Sequence, residues 1–198
     1  MNNKELTQQT KLAYDFLQKL YLEVSYMIKE IEGMLAEEKE QFLIGRGGGY
    51  AITARSSNGL DANNVHLWPL RTFSVFFVPK GFTNVKGGAT FTKFVHGLKT
   101  IFVKFFLDGK EVSEPYIYVG TVFDIEHKKE TYVKFENLIT HVEYNQNKIF
   151  TGDDFIDYED GYFKFRGKFF RVNLFEINSS EEIVKLVLEP VLEIFRNV

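Results

Sequence analysis

From Lys4 to Gln41 the chain carries apolar residues at Ala13, Leu17, Leu20, Val24, Met27, Ile31 and Met34, in alternating steps of four and three. Tyr14, Tyr21, Ile28 and Leu35 widen that stripe, while Lys19, Glu23, Lys29, Glu30 and Glu32 lie largely off it. A helix puts such positions on one face, so the segment reads as an amphipathic helix. Its length constrains the rest. At about 1.5 Å per residue, roughly 37 residues make a rod on the order of 55 Å long. A compact domain of this size has a radius of gyration of about 16 Å and is about 40 Å across. The rod must break, with Gly33 the expected place, or overhang and pack on a second copy. The seven-residue spacing also suits packing on the chain's own sheet.

After Gly49 the pattern shifts to period two and to short apolar runs. Strands are expected at Tyr50–Arg55, within Val65–Val78, and at Thr100–Leu107, with a turn at Asp108-Gly109. Tyr116–Glu126 and Thr131–Tyr144 read as antiparallel partners. Tyr162–Phe165 and Lys168–Ile177 read as a last hairpin around Arg166-Gly167. Ser179 or Ser180 can cap a final helix with Glu181 and Glu182 in its first turn, and Pro190 should kink or split that helix. Helix, run of strands, helix, with no linker, gives one α+β domain over residues 1–198. Its expected architecture is a mainly antiparallel sheet of about six strands packed by a long N-terminal helix and a C-terminal helix. Those helices would cover one face and leave the other free.

Function classes are narrowed by exclusion. The chain of 198 residues has no Cys, which removes disulfide scaffolds, zinc fingers and thiol nucleophiles. No run of 18 uncharged apolar residues exists, so no membrane helix is expected, and MNNKELTQQTK lacks a secretory apolar core. A cytoplasmic protein is the expectation. None of His66, His96, His127 and His141 falls in a metal-ligand spacing, and no G-x-S-x-G elbow is present. Each histidine reads as an ordinary surface or packing residue, and Trp68 reads as core.

The net charge of −3 hides an asymmetry. Arg46, Arg55, Arg71, Lys80, Lys86, Lys93, Lys99 and Lys104 face a single acid, Asp61, between Gly45 and Leu107. Two glycine-rich runs, GRGGGY from Gly45 and PKGFTNVKGGATFTK from Pro79, lie in the same segment. Glycine lets successive amides point into one concavity, and such nests bind anions. Arg46, Gly47, Gly48, Arg55, Arg71, Lys80, Lys86, Gly87 and Lys93 are therefore the candidate anion-binding residues. No phosphate-loop or dinucleotide fingerprint accompanies them, and the plain alternative is a loop plus a turn ending the long helix. No cofactor is indicated.

Two acidic patterns compete. TGDDFIDYEDGY clusters Asp153, Asp154, Asp157, Glu159 and Asp160, which could hold a divalent cation, though its spacing is not that of an EF-hand. The plain reading is a solvated loop. Asp108 with Glu126 and Lys128, or Asp124 with Glu136, loosely fits a metal-dependent nuclease arrangement.

The leading expectation is an intracellular binding or interaction protein, leaning away from an enzyme, that takes an anionic ligand such as a nucleotide or nucleic acid through the basic segment. One alternative is a metal-dependent hydrolase, phosphodiesterase-like or nuclease-like. Another is a structural or regulatory homodimer acting through the N-terminal helix.

Overall fold

A computed structural model describes residues 3–44, 72–82, 97–107, 114–129, 138, 141–142, 145–150 and 154–198. The long helix α1 (Asn3–Glu37) runs through Gly33 without a break. It leads through a turn at Gln41 (φ 48°) into β1 (Phe42–Ile44). The strands β2 (Thr72–Pro79), β3 (Thr100–Phe106), β4 (Tyr116–His127), β5 (Phe155–Glu159) and β6 (Phe163–Asn173) follow. A short helix α2 (Gln146–Ile149) lies between β4 and β5. The chain ends in α3 (Ser180–Ile183), a wide π turn (Val184–Leu188) and α4 (Glu189–Asn197). The strands form one antiparallel sheet in the order β1-β2-β3-β4-β6-β5. This is the expected α+β architecture.

The final helix starts as its sequence requires. Ser179 is extended and its hydroxyl accepts from the Glu182 amide at 3.3 Å, while the Glu182 carboxylate accepts from the Asn178 amide at 2.6 Å. Pro190 lacks an amide hydrogen and its ring crowds the carbonyl four residues back. The π turn just before it widens the helix and lets it continue without a split.

Two apolar layers enclose the sheet. On one face Val75, Phe77, Ile101, Val103, Phe105, Ile117 and Val119 meet Val24, Ile28, Ile31 and Leu35 of α1 and Val187, Val191 and Phe195 of the terminal helix. Phe42 meets Phe195 edge-on, ring centroids 4.9 Å apart. The other face is covered too, which corrects the expectation of a free one. Phe76, Phe102, Tyr118, Phe165 and Phe169 pack there with Leu138, Val142 and Ile149. The Phe102 ring stacks on Phe150 at 5.4 Å and meets Phe169 edge-on at 5.6 Å. Runs such as SVFFV and TIFVKFF are apolar at nearly every position because both sides of these central strands are buried.

Three further expectations change. In Thr131–Tyr144, the described residues Leu138, His141 and Val142 are helical, and β4 pairs with β3 and β6. Leu138 and Val142 are four apart and both buried, which is helical spacing. The expected hairpin about Arg166-Gly167 is one continuous strand, β6. The turn falls earlier, at Asp160-Gly161-Tyr162. The acidic loop is in part β5, whose Ile156 and Tyr158 point into the second layer while Asp157 and Glu159 point out. Tyr50–Arg55, Val65–Arg71, Trp68, His66, His96 and Asp108 lie outside the described residues.

Candidate functional surfaces

Of the candidate anion-binding residues, Lys80 alone is described. Arg46, Gly47, Gly48, Arg55, Arg71, Lys86, Gly87 and Lys93 lie outside the described residues. Lys80 is exposed just past the end of β2 and donates to Gln41 Oε1 at 3.1 Å. The first glycine-rich run begins directly after β1, whose last residue Ile44 is in register with Phe77, and the second begins at Pro79, in register with Phe42. The described ends of both therefore lie at the Pro79 end of β2.

Two other lysines of the basic segment are turned inward. Lys99 donates to the carbonyls of Phe195 and Val198, each at 2.7 Å, and its ammonium stands 4.9 Å from the Phe195 ring. A cation there answers the partial negative charge of a helix C-terminus. Lys104 is fully buried on β3, on the face opposite Ile101 and Val103, with its ammonium 5.6 Å from the Phe106 ring. The positive balance counted along the sequence therefore does not translate one-to-one into positive surface.

The carboxylates on the outer side of β5 and at the end of β4 are matched by bases across the sheet. Asp157 is in register with Arg166, and Glu159 and Glu126 are both in register with Lys164. Asp124 sits at a bulge in β4 with φ 51° and accepts from Arg166 Nε at 2.6 Å. Lys128 pairs with Glu159, and that contact holds the Glu159 carboxyl below its ordinary value. Among the described residues no group of three His, Asp or Glu is placed to hold a metal ion. Asp108, Glu136 and Asp153 lie outside them. A cross-strand charge ladder accounts for Asp157 and Glu159 of TGDDFIDYEDGY.

Among the described residues a well-bonded polar cluster joins His141 and Asp160, which the sequence offered only separately, as a packing histidine and a member of the acidic stretch. His141 Nε2 stands 2.7 Å from Asp160 Oδ2 and 3.1 Å from the Tyr158 hydroxyl, which donates to the same Oδ2 at 3.0 Å. Asp160 Oδ1 accepts from the amides of Tyr162 and Phe163 at 2.7 and 2.8 Å. Partial burial pushes the Asp160 carboxyl up. The two amides, the Tyr158 hydroxyl and the His141 charge outweigh that and bring it down to about 2. Burial, then the bond to Asp160, pushes Tyr158 up to about 12. The cluster ties the helical segment around His141 to the β5–β6 hairpin. The usable signal was the dipeptide Asp160-Gly161 between two alternating runs, a hairpin signature.

The remaining surface is α1 itself. Residues 3–19 are all exposed, and burial begins at Leu20 and Tyr21. Leu6, Leu12, Tyr14, Phe16 and Leu17 are between 37% and 63% exposed. Seventeen residues at about 1.5 Å each project about 25 Å past the core. Where the overhang meets the core, Leu20, Val24 and Met27 of α1 and Leu174, Phe175 and Ile177 after β6 line a groove of about 540 Å³. Among the described residues no helix is long and apolar enough to cross a membrane. No family model matches the chain, and no curated protein or solved structure matches it.

Proposed function

We propose that this chain is an interaction protein whose working surface is its N-terminal helix, used to pair with a second copy in a structural or regulatory homodimer. One observation carries this reading: half of a 35-residue helix stands clear of the core and keeps five large apolar side chains uncovered. Most helical stability in proteins comes from packing an amphipathic face, and the docked half of α1 supplies the nucleus from which the overhang continues. Full burial of a large apolar side chain is worth about 1.5–3 kcal/mol. Half-burying the ten contributed by two overhangs gives on the order of 10 kcal/mol, the scale of the roughly 4–15 kcal/mol that association costs. Scattered single apolar residues on a surface need no explanation, but here Leu6 and Leu17 continue the row that is buried farther along α1, and Leu12 and Phe16 form a second row at i, i+4.

The test is mass in solution. The native chain is expected to be dimeric by light scattering at micromolar concentration. The double substitution Leu12→Glu and Phe16→Glu should leave a folded monomer that lacks the concentration-dependent rise in melting temperature expected of the native dimer, since both positions are exposed in the single chain. A native chain that stays monomeric into the millimolar range overturns the proposal.

A second reading keeps the anionic ligand on the basic glycine-rich segment. It is supported by the sequence charge of that segment and by the exposure of Lys80 at its edge. Binding of a labelled single-stranded oligonucleotide or ATP is then expected to weaken at least about tenfold between about 50 and 200 mM salt, in line with the roughly 10³–10⁵-fold loss expected of 6–10 phosphate contacts. Binding absent at both salt concentrations removes this reading and leaves the helix reading untouched.

A further inference from the structure

The groove between α1 and the Leu174–Ile183 segment has the dimensions and chemistry of a helix seat, and the geometry points to the overhang of a second copy's α1 as its occupant. This inference rests on the homodimer reading and says where the partner's helix lies.

Length is the first argument. The groove follows α1 from Leu20 to Glu30, about 15 Å or three helical turns. The overhang offers about 25 Å of amphipathic helix, enough to fill it. Apolar chemistry is the second. Leu12 and Phe16 are four residues apart and continue in the same row to Leu20, at the groove's own mouth. Anchors at that spacing are how a helix lies in an apolar groove. Phe175, 55% exposed, stands at the opposite wall.

Charge is the third. The groove residues include Glu23 and Glu30 and no base. The overhang carries Lys4, Lys11 and Lys19 against Glu5 and Asp15. A positively biased helix therefore meets a negatively bordered seat.

Closure is the fourth argument, and it decides for a second copy over an unrelated helix. Overhang and groove adjoin on one helix, with midpoints near Lys11 and Ser25. Antiparallel pairing of two α1 helices about a twofold axis near Gln18 lays each overhang along the other copy's groove. Both seats fill at once and nothing is left open to propagate, which is the requirement for a closed isologous dimer.

Disulfide mapping tests the seat cleanly because the chain has no Cys. Leu12→Cys protein and Phe175→Cys protein are mixed under reducing conditions, allowed to exchange subunits, then oxidised. The mixture is expected to give a cross-linked dimer at least about tenfold faster than Leu12→Cys protein alone, whose two cysteines would lie about 18 Å apart along the axis. Phe175→Glu should raise the dimer dissociation constant at least about tenfold with the melting temperature of the monomer unchanged. A chain that is dimeric by scattering, yet neither cross-links between positions 12 and 175 nor responds to Phe175→Glu, overturns the seat and leaves the homodimer standing. A chain that is monomeric throughout overturns both.

Discussion

Replacing Gly120 by alanine is expected to cost at least about 3 kcal/mol of folding stability, the upper range for overpacking. A Cβ at this position would stand 2.1 Å from the Lys168 carbonyl oxygen and 2.7 Å from Phe169 Cα. Both are backbone atoms, so no rotamer change relieves the clash. Gly120 faces Phe169 across the β4–β6 ladder near the middle of the sheet, and parting those strands disturbs both apolar layers. Gly167 offers a graded comparison. A Cβ there meets the Phe169 ring at 2.3 Å. The ring could shift, but Phe102 and Phe150 hold it, so Gly167→Ala is expected to cost about 1–3 kcal/mol. Gly33, with nothing within 4 Å on an unbroken helix, should gain up to about 1 kcal/mol as alanine. Urea unfolding midpoints should rank Gly33→Ala above the native chain, then Gly167→Ala, then Gly120→Ala. A Gly120→Ala protein within about 1 kcal/mol of native would mean that these strands do not meet in this register.

The second large effect is a pH dependence centred on Asp160. Its carboxyl lies at about 2 in the folded chain against an ordinary 3.8. A carboxyl lowered on folding adds stability above its unfolded value and loses it as pH falls through the folded one. The contribution is therefore complete above about pH 4 and gone by about pH 2. Each tenfold change in proton affinity on folding is worth about 1.4 kcal/mol. With the side chain 29% exposed, solvent screening trims the total to about 1–2 kcal/mol. Asp160→Asn keeps an acceptor for the Tyr162 and Phe163 amides but turns a donor toward the Tyr158 hydroxyl. It is expected to lower stability by that amount at pH 7 and by little at about pH 2. Asp160→Ala strips both amides of their partner and should cost more at either pH. Parallel stability–pH curves for native and Asp160→Asn proteins would show that the cluster does not carry this linkage.

The legibility of the chain differed by element. The N-terminal helix could be read to within one residue at its start and four at its end, Glu37 rather than Gln41, because a stripe in steps of three and four fixes the backbone but not where it stops. The terminal helix and its Ser179 cap were equally readable from local chemistry. The end of the sheet was not. Phe163–Asn173 invited a break at Arg166-Gly167, yet Lys164, Arg166 and Lys168 alternate with Phe163, Phe165 and Phe169 on a single strand. Gly167 is glycine there because the Phe169 ring folds over it, not because the chain turns. The true turn, at Asp160-Gly161, was hidden among acids that resembled a loop. Those acids make sense only beside the bases that β6 sets opposite them. His141 gave no sign of itself either, since its partners Tyr158, on β5, and Asp160, in the turn after it, are 17 and 19 positions away and meet it only in the folded chain.

Taken alone, the order of amino acids determined which side chains share a face of each element, and so the α+β class and a rod too long for its domain. That information is local: it depends on the 3.6- and two-residue periods of the backbone. The tertiary structure decided what lies against each face. It closed the second side of the sheet with Leu138, Val142 and Ile149, turned Lys99 and Lys104 inward, and joined Asp124 to Arg166 across 42 positions. Such choices depend on burial and charge matching between segments far apart in the chain. No window of sequence contains both partners, so only the folded molecule shows that the overhang of α1 remains uncovered.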